Sequence, residues 1–148
     1  MGLQELADKI EIHEVLARYA RGVDTRDWDL WRTVFTEDAF IDYRAASSSD
    51  TSFGSRDEME VWLTNGIGMI PMTQHYITNI EIELAGDTAK VLAMFFNPMR
   101  LPGTTGLSYC GGFYNHEMVR TDEGWKSRRL VEENVWFEAA PGAAQLRQ

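Results

Sequence analysis

Apolar positions recur at helical intervals in the first third of the chain and at strand intervals in its second half. Leu3, Leu6, Ile10, Leu16, Tyr19 and Ala20 mark an amphipathic helix from Leu3 to about Arg21, with Glu and Lys on its other side. Gly22 and the following Val23-Asp24-Thr25-Arg26 interrupt it, and a second helix of about two turns is expected between Asp27 and Phe35. Phe40-Ile41-Asp42-Tyr43 alternates like a strand. Ser, Asp and Thr crowd the stretch from Ala45 to Gly54 and favour local backbone hydrogen bonds, so a mobile lid is expected there. Ser55-Arg56-Asp57-Glu58 has the form of a capping box and opens a third helix that ends near Gly66 or Gly68.

Long strands follow over Thr73 to Leu84, Thr88 to Asn97, Leu107 to Arg120 and Gly124 to Phe137. Tight turns at 85–88 and 121–124 make the neighbours antiparallel, while 98–106 is a longer loop. Ile80, Ile82 and Leu84 share one parity, whereas His75 and Ile77 have the other. All five face the core only if a bulge sits near Thr78 or Asn79. The fold class is α+β: a curved, mostly antiparallel sheet packed on three N-terminal helices and enclosing one pocket. A single domain spans 1–148, with its core over about 3–138 and a flexible tail over 139–148.

Composition narrows the function. With 44% hydrophobic and 25% charged residues, the chain is neither disordered nor collagen-like. No apolar run approaches the roughly 18 residues of a membrane span, and the acidic amphipathic N-terminus is unlike a signal peptide, so a cytoplasmic protein is expected. Against 14 Lys and Arg stand 23 Asp and Glu, and the net charge of −9 repels nucleic acid and anionic membrane surfaces. Cys110 is the single cysteine, so neither an intrachain disulfide nor a thiolate metal cluster can form. There is no glycine-rich phosphate loop and no H-x-x-x-H, so no cofactor and no metal are expected.

Three histidines remain. His13 stands among helical acids and reads as solvated, and His116 reads as a sheet-surface or subunit-contact residue. His75 lies early on an apolar strand, where a buried imidazole needs a hydrogen-bond partner. Asp24, where the chain turns out of the first helix, is the candidate partner, although helix capping would also account for an acid there. A carboxylate on one ring nitrogen fixes the tautomer and leaves the other as a proton acceptor, a general base.

Val23-Asp24-Thr25-Arg26-Asp27-Trp28-Asp29, Ile41-Asp42-Tyr43-Arg44, Thr73-Gln74-His75-Tyr76 and Gly124-Trp125-Lys126 resemble the SnoaL-like, nuclear transport factor 2-like superfamily over nearly the whole chain. Within it the motifs are similar to those of scytalone dehydratases and hexachlorocyclohexane dehydrochlorinases. The resemblance implies a cone-shaped barrel with one deep pocket. It implies that Asp24 and His75 are the catalytic pair and that Tyr43 orients a water against the substrate carbonyl. Tyr19, Val23, Asn79 and Tyr114 are then expected to contact substrate. The dehydratases' second tyrosine is Val23 here, and their second pocket histidine is missing near Pro98 and Met99, so scytalone itself is a poor substrate guess. The dehydrochlorinases' pocket lysine falls at Tyr19 and their pocket arginine near Leu130, where Arg128 and Arg129 are expected to be solvent-exposed. The expected function is a cofactor-independent lyase or isomerase, dehydratase-like, acting on a small hydrophobic, aromatic or polyketide-like molecule. The alternative is a non-catalytic binding or assembly module such as a ring-hydroxylating dioxygenase small subunit. Exposed apolar sheet surface makes a homodimer or homotrimer the expected assembly.

Overall fold

The structure is a computed structural model and describes residues 1–47 and 50–143. Three helices, α1 (Leu3–Asp24), α2 (Trp28–Thr33) and α3 (Arg56–Asn65), pack against a curled seven-stranded sheet. The strands are β1 (Phe35–Asp42), β2 (Phe53–Ser55), β3 (Met72–Thr73), β4 (Tyr76–Ala85), β5 (Thr88–Arg100), β6 (Ser108–Thr121) and β7 (Gly124–Glu138). Their order is β2-β1-β7-β6-β5-β3, with β4 also on β5. All pairs are antiparallel except β1 with β7. The result is the expected α+β architecture, a curled mixed sheet with N-terminal helices. Among the described residues no helix is long and apolar enough to cross a membrane.

α1 extends past Gly22 to Asp24, and Gly22 lies against α2. A Cβ there would stand 2.9 Å from the Trp31 backbone nitrogen. The buried face of α1 is also rotated from the expected one: Leu3, Leu6 and Ile10 are exposed, while Asp8, Ile12, Val15, Leu16, Tyr19 and Val23 are buried. Asp8 faces the sheet because it meets Arg120 in two charged hydrogen bonds of 2.7 and 2.9 Å and accepts the Trp125 indole N–H at 3.0 Å. These donors hold its carboxyl far below the usual carboxylate range. α3 starts as its motif requires, with Ser55 and Glu58 completing the capping box.

Three irregularities shape the sheet. β4 shifts register between Thr78 and Glu81 with Asn79 at φ 51°, and Ile77, Ile80, Ile82 and Leu84 all turn inward. On β7 the pairing skips one residue at Arg128 and another at Val135, so the inward set runs Trp125, Ser127, Leu130, Glu132, Asn134 and Phe137. The second skip lies opposite Gly111-Gly112, where a Cβ on Gly112 would overlap the Glu133 carbonyl. The expected first long strand is divided into β3 and β4, since the His75 backbone N–H leaves the ladder for a side chain. In the region expected as a tail, Ala140 and Ala143 are buried and the Ala140 N–H donates to Ser108 Oγ; residues 144–148 lie outside those described. The expected lid stretch includes residues 48 and 49, which are likewise outside; within it Ser52 is buried, and its last two residues, Phe53 and Gly54, begin β2.

Gly22→Ala should cost about 1–3 kcal/mol in chemical denaturation, since the obstructing atoms are helix backbone. An unchanged midpoint would show that α1 and α2 are not locked together at this position.

Candidate functional site

α1 ends in a carboxylate, and that carboxylate organises the site. Asp24 Oδ2 accepts the His75 backbone N–H at 2.6 Å, and Oδ1 accepts the Thr73 hydroxyl at 3.0 Å and lies 2.6 Å from His75 Nδ1. An ionised carboxylate only accepts, so in the neutral ring the proton sits on Nδ1 and Nε2 keeps its lone pair. The C-terminal end of a helix disfavours a negative charge, and Arg26 compensates. Held at φ 58°, Arg26 donates to Val23 O, Ile70 O and Thr73 Oγ1 at 2.6, 2.7 and 2.8 Å. A relay Arg26–Thr73–Asp24–His75 therefore ties the end of α1 to the start of β4. Arg26 and Thr73 were not legible as site residues, because each acts through another side chain.

The His75 side chain is only 5% exposed and lines a cavity of about 540 Å³. Tyr19, Val23, Tyr43 and Tyr114 line the same cavity. The Tyr43 ring stacks on Trp62 at 5.4 Å and its hydroxyl is 2.8 Å from that of Tyr19, while Tyr114 stacks on Phe95 at 4.5 Å. Burial pushes all three phenols well above their ordinary range, so they remain neutral. In the Tyr19–Tyr43 pair one hydroxyl donates to the other, and the Tyr19 hydroxyl also interacts with that of Tyr114, so the three phenols form one cluster.

Asn79 does not join this set. It is exposed on the bulge of β4, because the bulge turns its neighbours inward and leaves it outside. His116 also departs from expectation: it faces the core at 3% exposure, not the sheet surface. Its Nδ1 is 2.8 Å from Ser127 Oγ, whose own proton goes to the Arg129 carbonyl, and its Nε2 is buried without a partner. Burial lowers its pKa to about 3. Arg128 and Arg129 are exposed, bound to Glu117 at 3.7 Å and laid over the Phe40 ring respectively. His13 is exposed on α1.

The cavity also contains polar groups that strict alternation conceals. Glu132 is 8% exposed, and burial raises its carboxyl to about 8, with Asn134 the one group opposing that rise. Asn97 is buried on β5 with Oδ1 unpartnered. Burial first, and then the Glu132 charge, push the Cys110 thiol up to about 11, which keeps it from acting as a thiolate. Among the described residues lining the cavity there is no Lys or Arg. No three His, Cys, Asp or Glu side chains among the described residues converge as a metal site needs.

A family model described as a SnoaL-like domain matches residues 4–131. The uncharacterized protein Rv2910c of Mycobacterium tuberculosis is 35% identical over 133 residues, covering 89% of this chain and 88% of that protein. A Novosphingobium aromaticivorans protein provisionally named a scytalone dehydratase superposes with a TM-score of 0.80 at 21% identity, over 92% of this chain and 89% of that one. The hexachlorocyclohexane dehydrochlorinase LinA-type3 of Novosphingobium barchaimii does so with a TM-score of 0.81 at 19% identity, over 95% and 94%. At these identities the two structural likenesses are likenesses of fold.

His116 gives a pH signature. Its folded pKa of about 3 lies below the ordinary 6.5, so the unfolded chain binds the extra proton between those values. Stability present above about pH 6.5 should therefore fall as pH drops toward 3, by up to about 1.4 kcal/mol per pH unit. His116→Asn keeps a donor toward Ser127 and should lack this loss. Equal slopes for the two proteins in denaturant titrations across that range would contradict the buried neutral ring.

Proposed function

The chain belongs to the SnoaL-like domain family, and we propose that within it this protein is a cofactor-independent lyase or isomerase. Its substrate is a small hydrophobic or aromatic, polyketide-like molecule that carries a carbonyl group. One observation carries the reading: the imidazole fixed by Asp24 at Nδ1 lines a largely apolar cavity of a size that suits such a ligand. His75 Nε2 takes a proton from the carbon next to the carbonyl. Asp24 holds the ring and stabilises the imidazolium that results. A hydroxyl of the Tyr19, Tyr43 and Tyr114 cluster, directly or through a water, meets the carbonyl oxygen as negative charge grows there. A β-leaving group then departs, or the proton returns at another carbon. Names of two fold neighbours, a dehydratase and a dehydrochlorinase, support elimination as the class. The non-catalytic alternative has less support, because the His75 ring of the pair lines a cavity with room for a guest.

The outer sheet face supports a homodimer or homotrimer. Tyr76, Leu92, Met94, Phe96 and Trp136 are all exposed there, and Phe96 stacks with Tyr109 and Trp136.

Asp24 variants confuse chemistry with folding, since losing this carboxylate orphans the His75 N–H at about 1–3 kcal/mol. His75→Gln is the cleaner test. A thermal-shift screen of aromatic and polyketide-like carbonyl compounds identifies ligands, and turnover of those compounds is then followed. The variant should lose about 10²- to 10⁴-fold in kcat with an unchanged melting temperature. Turnover at the wild-type rate would exclude His75 as the base.

A further inference from the structure

Glu132 has no part in the mechanism above, yet it is the most heavily desolvated carboxyl in the cavity. The skip at Arg128 turns it inward, opposite Tyr114 in the β6–β7 pairing. The titratable groups around it are Tyr19 from α1, Tyr43 after β1, and Tyr114 and Cys110 from β6, with His75 on the wall of the same cavity. None of the lining residues described is a fixed cation. A carboxylate there would be an uncompensated buried charge, whereas the neutral acid presents an O–H.

We infer that Glu132 is the proton donor to the leaving oxygen of the substrate, and that it selects hydroxyl over halide as the leaving group. The inference rests on the elimination reading above. Hydroxide departs readily only if it is protonated as it leaves. A halide departs as an anion and needs a positive partner, which the described walls do not supply. Asn97 Oδ1, buried and unpartnered in the same cavity, provides an acceptor for the hydroxyl's own hydrogen. The step balances: the C–H proton goes to His75 Nε2 and its electron pair becomes the new carbon–carbon π bond. The C–O bond breaks with its pair on oxygen, which takes the Glu132 proton and leaves as water. A proton then passes from the imidazolium to the Glu132 carboxylate through solvent, restoring both groups. A carboxyl raised to about 8 is in the required neutral form at pH 7.

Two measurements test this. Infrared difference spectra between wild type and Glu132→Gln should show the carbonyl stretch of a protonated carboxylic acid at pH 7, lost as pH rises through about 8. Its absence at pH 7 overturns the assignment without any substrate. For the donor role, the probes are a benzylic β-hydroxy ketone and the same ketone carrying nitrophenoxide, which leaves without a proton. Glu132→Gln should slow loss of hydroxide about 100-fold and loss of nitrophenoxide little, whereas His75→Gln should slow both alike. Equal effects of Glu132→Gln on the two probes overturn the donor role and leave His75 as base untouched. A wild-type protein inert to both probes overturns the elimination reading and the donor role with it, while the infrared band still reports the state of Glu132.

Discussion

The structure depends on one carboxylate serving two elements. Asp24 is the last residue of α1, and its three short contacts all go to Thr73 and His75 at the start of the interrupted edge strand. Charged hydrogen bonds of this kind contribute about 1.5–3 kcal/mol each. The same contacts that seat the helix on the sheet therefore also fix the tautomer and aim of the imidazole. At the other end of α1, Asp8 with Arg120 and Glu11 with the Trp125 backbone hold the helix against β6 and β7. The helix is pinned at both ends and closes one side of the cavity.

The second constraint is charge. An apolar enclosure keeps its acids and phenols protonated, and the lining groups Tyr19, Tyr43, Tyr114, Cys110 and Glu132 are all shifted toward their neutral forms. Asp24 stands behind the cavity wall, with partners for both oxygens and Arg26 beside it. A cavity of neutral donors with one oriented acceptor suits proton transfer to and from carbon and oxygen, in a medium where each such interaction is strengthened by the exclusion of water.

Much of the frame was legible in local chemistry. The Ser55–Glu58 capping box marks where α3 begins, and the change of parity between Ile77 and Ile80 requires the bulge that Asn79 makes at positive φ. The meeting of Asp24 and His75 followed from a buried imidazole's need for a partner. What was hidden depends on long-range pairing. Strict alternation along β7 puts Val131 inward and Glu132 out, and only the skip at Arg128, set by register against β6, reverses this. Gly22 reads as a helix breaker because nothing local reveals that α2 comes within contact distance of it. Asn79 and His116 were misplaced for the same reason: which face a strand residue takes is decided by bulges and neighbours, not by residue type.

The central claim is that Asp24 holds the proton on His75 Nδ1 and leaves Nε2 bare toward the cavity. Nitrogen NMR of protein labelled at histidine, recorded where the His75 ring is neutral, reads this directly. One protonated nitrogen coupled to a hydrogen-bonded proton at Nδ1, with an unprotonated Nε2, is the predicted spectrum. A proton found on Nε2, or a ring exchanging between the two tautomers, would contradict the account.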